Sequence, residues 1–169
     1  GRIVKQKDHL TLLKAISNLN KRIKLNLLII GDGEEKKNIL KYIIKNKLQK
    51  VVKIIKFQKN PYPYLKKSDT LVLSSLYEGL PNVLIEALAL KKFVISSNCQ
   101  TGPKEILANQ KYGSLFNVKD HLKLEEKIYD FHKNKKKLRK KTLLAFNSLD
   151  RFDFNKNCTI YLNIVKEYL

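Results

Sequence analysis

The sequence predicts an α/β fold, a Rossmann-like parallel sheet with helices on both faces. Three observations point there. Short apolar runs at 25–30, 51–57, 71–74 and 93–96 alternate with segments whose apolar residues recur at helical spacing. Those runs are largely apolar throughout, as in strands buried on both faces, instead of alternating. Turn residues such as Gly31-Asp32-Gly33 stand between a run and the helix that follows.

In chain order, residues 1–4 read as a strand end running into a loop. Asp8 then caps a helix whose inner face carries Leu12, Ile16, Leu19 and Ile23. Strand 25–30 is closed by the glycine turn. A second helix, 34–47, turns Ile39, Leu40, Ile43 and Ile44 inward, and its acidic start and basic end suit the helix dipole. After strand 51–57, a segment with Pro61 and Pro63 holds only a short helical turn, in which Tyr62 and Tyr64 read as packing residues. Strand 71–74 leads into a helix over 83–90. Strand 93–96, a short helix at 102–107, strand 112–118 and a helix over 120–134 built on Leu124, Ile128 and Phe131 follow. The remainder to Leu169 reads as helical, broken near 150–153, and the basic run 133–141 beside Leu138 as a solvated face.

At 169 residues and 43% hydrophobic the chain can bury one good core, so residues 1–169 read as a single domain. No apolar run approaches the roughly 18 residues of a membrane span, and residues 1–5 do not open a signal peptide. Without an initial Met, the chain reads as a piece of a longer one. Cys99 and Cys158 form neither a metal-ligand spacing nor a disulfide framework, which suits a reduced, cytoplasmic setting. The net charge of +20 is mostly lysine, since only Arg2, Arg22, Arg139 and Arg151 are arginine. Lysines spread along the chain suit a solvated surface, then an anionic partner such as a nucleotide or membrane surface. Nucleic-acid readers favour clustered arginine and aromatic platforms, which are not evident, so no nucleic acid is expected.

Ligands of such sheets sit beyond the carboxyl ends of the strands. Arg2, Gly31, Gln58, Ser75 and Asn98 fall there. The helix over 83–90 is apolar on every side except at Glu86, and a carboxylate inside an apolar helix needs a partner; two neighbouring hydroxyls, as on a ribose, would serve. Glu78 stands eight positions upstream, at the mouth of that helix, where it could accept hydroxyls from a sugar. Pro81 at the helix start leaves the amides of Leu80, Asn82 and Val83 free, and Gly79 lets the backbone approach a ligand closely, which together make an anion site. An ordinary strand–turn–helix would look the same apart from Glu86. Arg2 and Lys7 flank the loop after the first strand, where their charges could converge on the same phosphates. Gly31-Asp32-Gly33 lacks the third glycine of a dinucleotide fingerprint. His9, His121 and His132 are too scattered for a triad or a metal site.

With these pieces placed, the sequence resembles the C-terminal, donor-binding half of GT-B glycosyltransferases of family 4. Asn60-Pro61-Tyr62, then 75–83 with Glu86-Ala87-Leu88, then Thr101-Gly102-Pro103-Lys104-Glu105 carry the likeness, with Gly1-Arg2 and Lys7 upstream. The resemblance implies that Arg2, Lys7 and the amides near Leu80–Val83 hold a donor diphosphate. It gives the ribose to Glu86, the donor sugar near its reacting carbon to Glu78, and the base to the loop at Phe57-Gln58. It implies a retaining, metal-independent transferase with no cofactor, using a UDP-sugar, often of hexosamine type, in bacterial surface-glycan synthesis at or near the inner membrane face. It further implies an acceptor-binding domain upstream in the same polypeptide, without which residues 1–169 would not turn over. In this fold the first strand is central, so its truncation before Gly1 would leave a gap in the sheet. Lys91-Lys92-Phe93 departs from the family's usual glycine and proline there, altering a turn. A related nucleotide-sugar epimerase and a basic membrane or nucleic-acid module stand as alternatives.

Overall fold

Strands and helices alternate in the computed structural model, which describes residues 1–168, Arg139 by its backbone alone. The strands are β1 (Leu27–Ile30), β2 (Val52–Ile55), β3 (Thr70–Leu73), β4 (Phe93–Ser97) and β5 (Ser114–Phe116). The helices are α1 (His9–Leu19), α2 (Lys36–Lys45), α3 (Tyr62–Lys67), α4 (Asn82–Ala89), α5 (Pro103–Ile106), α6 (His121–Asn147) and α7 (Phe154–Glu167). Single 3-10 turns lie at Lys5–Lys7 and Leu149–Phe152. Leu169 lies outside the described residues.

Every strand pairing is parallel, with Ile29 opposite Ile54, Val72 opposite Ile95 and Ser96 opposite Leu115. The sheet comes in two parts, β1-β2 and β3-β4-β5. Between β1 and β3 runs a cleft of about 1150 Å³, walled by Leu27 to Ile30 on one side and Thr70 to Ser74 on the other. A gap therefore lies between the two parts of the sheet. Gly1 lies at its carboxyl end, its amine donating to the Ile30 carbonyl at 2.7 Å, and the Ile3 amide donates to Asp32 O at 2.8 Å. The glycine turn makes this crossing fit. At φ +146° and +155°, Cβ atoms on Gly31 and Gly33 would come within 1.8 Å of Gly1 O and 2.4 Å of Ile3 O.

Both faces of the sheet are covered. On β4, Phe93 and Ile95 join the core with α1, β1, β2 and the first half of α6, and Phe93 stacks on Phe131 with centroids 5.2 Å apart. Val94 points the other way, into a core with Leu84, Leu88, Ile106 and Leu107 from α4 and the α5 region. Each fully buried leucine or isoleucine contributes about 1.5–3 kcal/mol of burial. Asp8 caps α1 as expected, its carboxylate accepting from the Thr11 amide and hydroxyl.

Several expectations are corrected. Helix α2 buries Ile39 and Ile43, but Leu40 and Ile44 are 40% and 61% exposed: the helix packs chiefly against α1, which covers one face of it. Helix α1 instead buries Leu13 and Ala15 as well, being packed against both α2 and α6. Tyr62 and Tyr64 stay 46% and 38% exposed on the short α3, which buries no residue fully. The helix expected to end at 134 continues to Asn147, bending at Asn134 (φ −113°, ψ 25°).

Candidate functional site

The turn after Val4 is stitched to the carboxyl end of β3. Ser74 Oγ donates to Lys7 O at 2.8 Å, the Leu76 amide to Gln6 O at 2.8 Å, and Gln6 Nε2 to Tyr77 O at 2.9 Å. Two segments 71 residues apart thus meet, and Lys7 Nζ reaches Glu78 Oε1 at 2.6 Å. Ser75 Oγ donates to the same oxygen, also at 2.6 Å. The Glu78 side chain is 9% exposed and that of Lys7 24%, so the pair is largely desolvated and its attraction little screened.

The other side of this turn is built from the loop after β4. Ser97 Oγ donates to Ser75 O at 2.6 Å, and the Thr101 hydroxyl donates to the Glu78 carbonyl. Gly102 has φ +83°, and a Cβ there would lie 2.2 Å from Gly79 O and 2.5 Å from Pro81 Cδ. Only glycine fits that contact. In the sequence Thr101, Gly102 and Ser75 stand out only by their likeness to family segments, Ser75 also as a strand end.

Beyond the turn, Pro81 occupies the cap of α4, and its carbonyl accepts from the Leu84 amide at 2.9 Å. The amides of Leu80, Asn82 and Val83 take no acceptor among the described residues, as expected. Space is open at Gly79, where a Cβ would touch nothing within 4 Å, and Leu80 is 50% exposed.

Glu86 corrects its own argument. Helix α4 is not buried all round: Leu84, Ala87 and Leu88 are buried, Asn82 and Ala89 exposed. Glu86 is half-buried and lines the cleft together with Val83. Its carboxylate is not sealed in apolar surroundings, yet it has no hydrogen-bonded or ionic partner among the described residues. What the structure retains is a carboxylate free to accept.

The remaining candidates are arranged more loosely. Arg2 is exposed on the cleft rim with no partner among the described residues. Phe57 is 74% exposed. Gln58 donates to Lys56 O at 3.2 Å and accepts from the Tyr64 hydroxyl at 3.4 Å. His9, set aside in the sequence, lines the cleft with Nδ1 buried and unpartnered. Burial, and next the charge of the Gly1 amine, lower its pKa to about 4. Burial likewise pushes the Cys99 thiol up. No three His, Cys, Asp or Glu side chains gather in a metal-binding group among the described residues.

Residues 1–142 match the family profile of glycosyl transferases group 1. An uncharacterized glycosyltransferase of Methanocaldococcus jannaschii is 44% identical over 108 residues, 63% of this chain and 27% of that one. A Campylobacter jejuni protein, N-acetylgalactosamine-N,N'-diacetylbacillosaminyl-diphospho-undecaprenol 4-alpha-N-acetylgalactosaminyltransferase, is 31% identical over 150 residues, covering 83% of this chain and 40% of its own. HepE of Anabaena, solved in complex with UDP, shares the fold at a TM-score of 0.89 and 20% identity, over 98% of this chain and 47% of that one. The chain thus spans less than half the length of each of these proteins.

Proposed function

Since the chain belongs to the group 1 glycosyltransferases and has the fold of GT-B domains, we propose that it binds a nucleoside-diphosphate sugar, a UDP-sugar, as the donor half of a retaining transferase. One observation carries this reading: Lys7, Glu78 and the first amides of α4 meet at one helix mouth, with Glu86, unpartnered among the described residues, one turn further along the helix. The amides of Leu80, Asn82 and Val83 and the positive end of the helix suit the diphosphate. Arg2 and Lys7 add cationic charge where negative charge grows as the leaving diphosphate departs. These groups do that work without a metal in this proposal. Glu86 accepts from the ribose hydroxyls, Phe57 and Gln58 meet the base, and Glu78 accepts from the sugar.

The acceptor, in this reading, is a lipid-linked or surface glycan of a bacterium, processed on the cytoplasmic side of the membrane, with the lysines of α6 facing anionic lipid. Acceptor binding falls to a domain in the same polypeptide, and residues 1–169 alone do not turn over; transferase activity of the isolated chain would refute that part. The donor reading is tested by titrating UDP, GDP and short single-stranded DNA into the chain and into Glu86→Ala. UDP binding that disappears with Glu86 supports it. Salt-sensitive DNA binding indifferent to Glu86 overturns it.

A further inference from the structure

Glu78 is held from two sides, and the two holders differ. Lys7 is a long, flexible side chain, 24% exposed, on a turn at the rim of the site. Ser75 is fully buried, and its own carbonyl is pinned by Ser97 Oγ at 2.6 Å, from a serine of β4 that is itself fully buried. Its hydroxyl reaches Glu78 Oε1 at 2.6 Å across a two-residue turn.

We infer that Ser75 is the positioning residue that aims Glu78 at the donor sugar, an inference that rests on the donor-binding reading above. With Lys7 and Ser75 both on Oε1, Oε2 is the oxygen left to accept a sugar hydroxyl. A diphosphate at the helix mouth competes for the ammonium of Lys7, because phosphate oxygens are strong acceptors for it. Ser75 has no such competitor. It is anchored in the core and carries one proton, so it stays on Oε1 while Lys7 is shared. The carboxylate then keeps its orientation through binding, which is what a contact to the reacting sugar requires. A residue without a hydroxyl at 75 leaves Glu78 tethered by the mobile lysine alone.

The test compares UDP with UDP-glucose, UDP-N-acetylglucosamine and UDP-N-acetylgalactosamine by calorimetry on the chain and its variants. The sugar's contribution is the ratio of the affinity for the best sugar nucleotide to that for UDP. Ser75→Ala is expected to reduce that contribution about tenfold, the size of a hydrogen bond to a charged group, with UDP affinity unchanged. Ser75→Thr, which retains the hydroxyl, restores it. Ser75→Cys, close in size but a poor donor, behaves as the alanine variant does and stands in for it should that one fail to fold. In a Glu78→Ala background, which removes the acceptor, Ser75→Ala produces no further loss. Equal losses for UDP and sugar nucleotide, or the same loss in both backgrounds, overturn the inference and make Ser75 merely structural. A parent chain that binds UDP no less tightly than any sugar nucleotide overturns it too, while leaving the nucleotide site standing. A chain that binds no UDP overturns the donor reading itself.

Discussion

Two regions of the site are built on opposite plans. At the turn over residues 74–79 the key polar groups are answered from within the chain: Glu78 by Lys7 and Ser75, the Ser75 carbonyl by Ser97, the Glu78 carbonyl by Thr101. Along the cleft wall three are not: Glu86 and Arg2 have no partner among the described residues, and His9 Nδ1 is buried without one. The turn is set in advance by the fold, whereas the wall keeps its hydrogen-bonding capacity for something that comes from outside. Mutations should therefore separate the two, the turn responding in stability and the wall in binding.

The largest stability effect is expected at Gly102. Alanine there meets both a positive φ and a backbone oxygen 2.2 Å away, which costs about 3 kcal/mol or more, read as a lowered urea midpoint. Next comes His9, the exception on the wall, whose unpartnered Nδ1 is buried and so registers in stability. His9 is neutral when folded, with its pKa held down to about 4 against an ordinary 6.5. The unfolded chain takes up the proton first, so stability falls as pH drops from 6.5 towards 4, by up to about 3 kcal/mol. The difference between urea titrations of the parent and His9→Leu across that window isolates it; a flat difference would remove His9 from the account.

Lys7→Met strips Glu78 of its charge partner. Breaking a buried pair this way costs about 3–5 kcal/mol, and the 24% exposure of Lys7 brings the expected loss to roughly 2 kcal/mol by thermal melting. Glu86→Ala should move stability least, within about 0.5 kcal/mol, since it breaks no contact. The same change should weaken UDP binding at least about tenfold. A Glu86→Ala protein that melts early but binds UDP normally would erase the contrast between turn and wall.

What the sequence made legible was local. Asp8 as a cap, the parallel alternation, and the eight-residue step from Glu78 to Glu86 all follow from spacing along the chain. What it hid was contact at a distance. Lys7 and Glu78 are 71 residues apart, so their ion pair follows from the docking of one turn against β3, which no periodicity announces. Ser75 read as a strand end because a serine has no pattern of its own; only its burial and its neighbours give it a task. Helical spacing places Glu86 in a buried helix since it counts the apolar residues beside it, not what lies opposite. In the fold, what lies opposite is a cleft.

That cleft also bears on how the chain behaves in concentrated solution. Strands β1 and β3 each use only one side for pairing among the described residues. The other side of each is an unpaired edge, and both strands line the cleft, whose walls mix leucine, isoleucine and valine with lysines, His9, Asp69 and Glu86. Such edges are templates for an additional extended segment. A short peptide rich in valine and isoleucine should lodge there and raise the melting temperature, whereas without one the chain should self-associate through its own edges as its concentration rises.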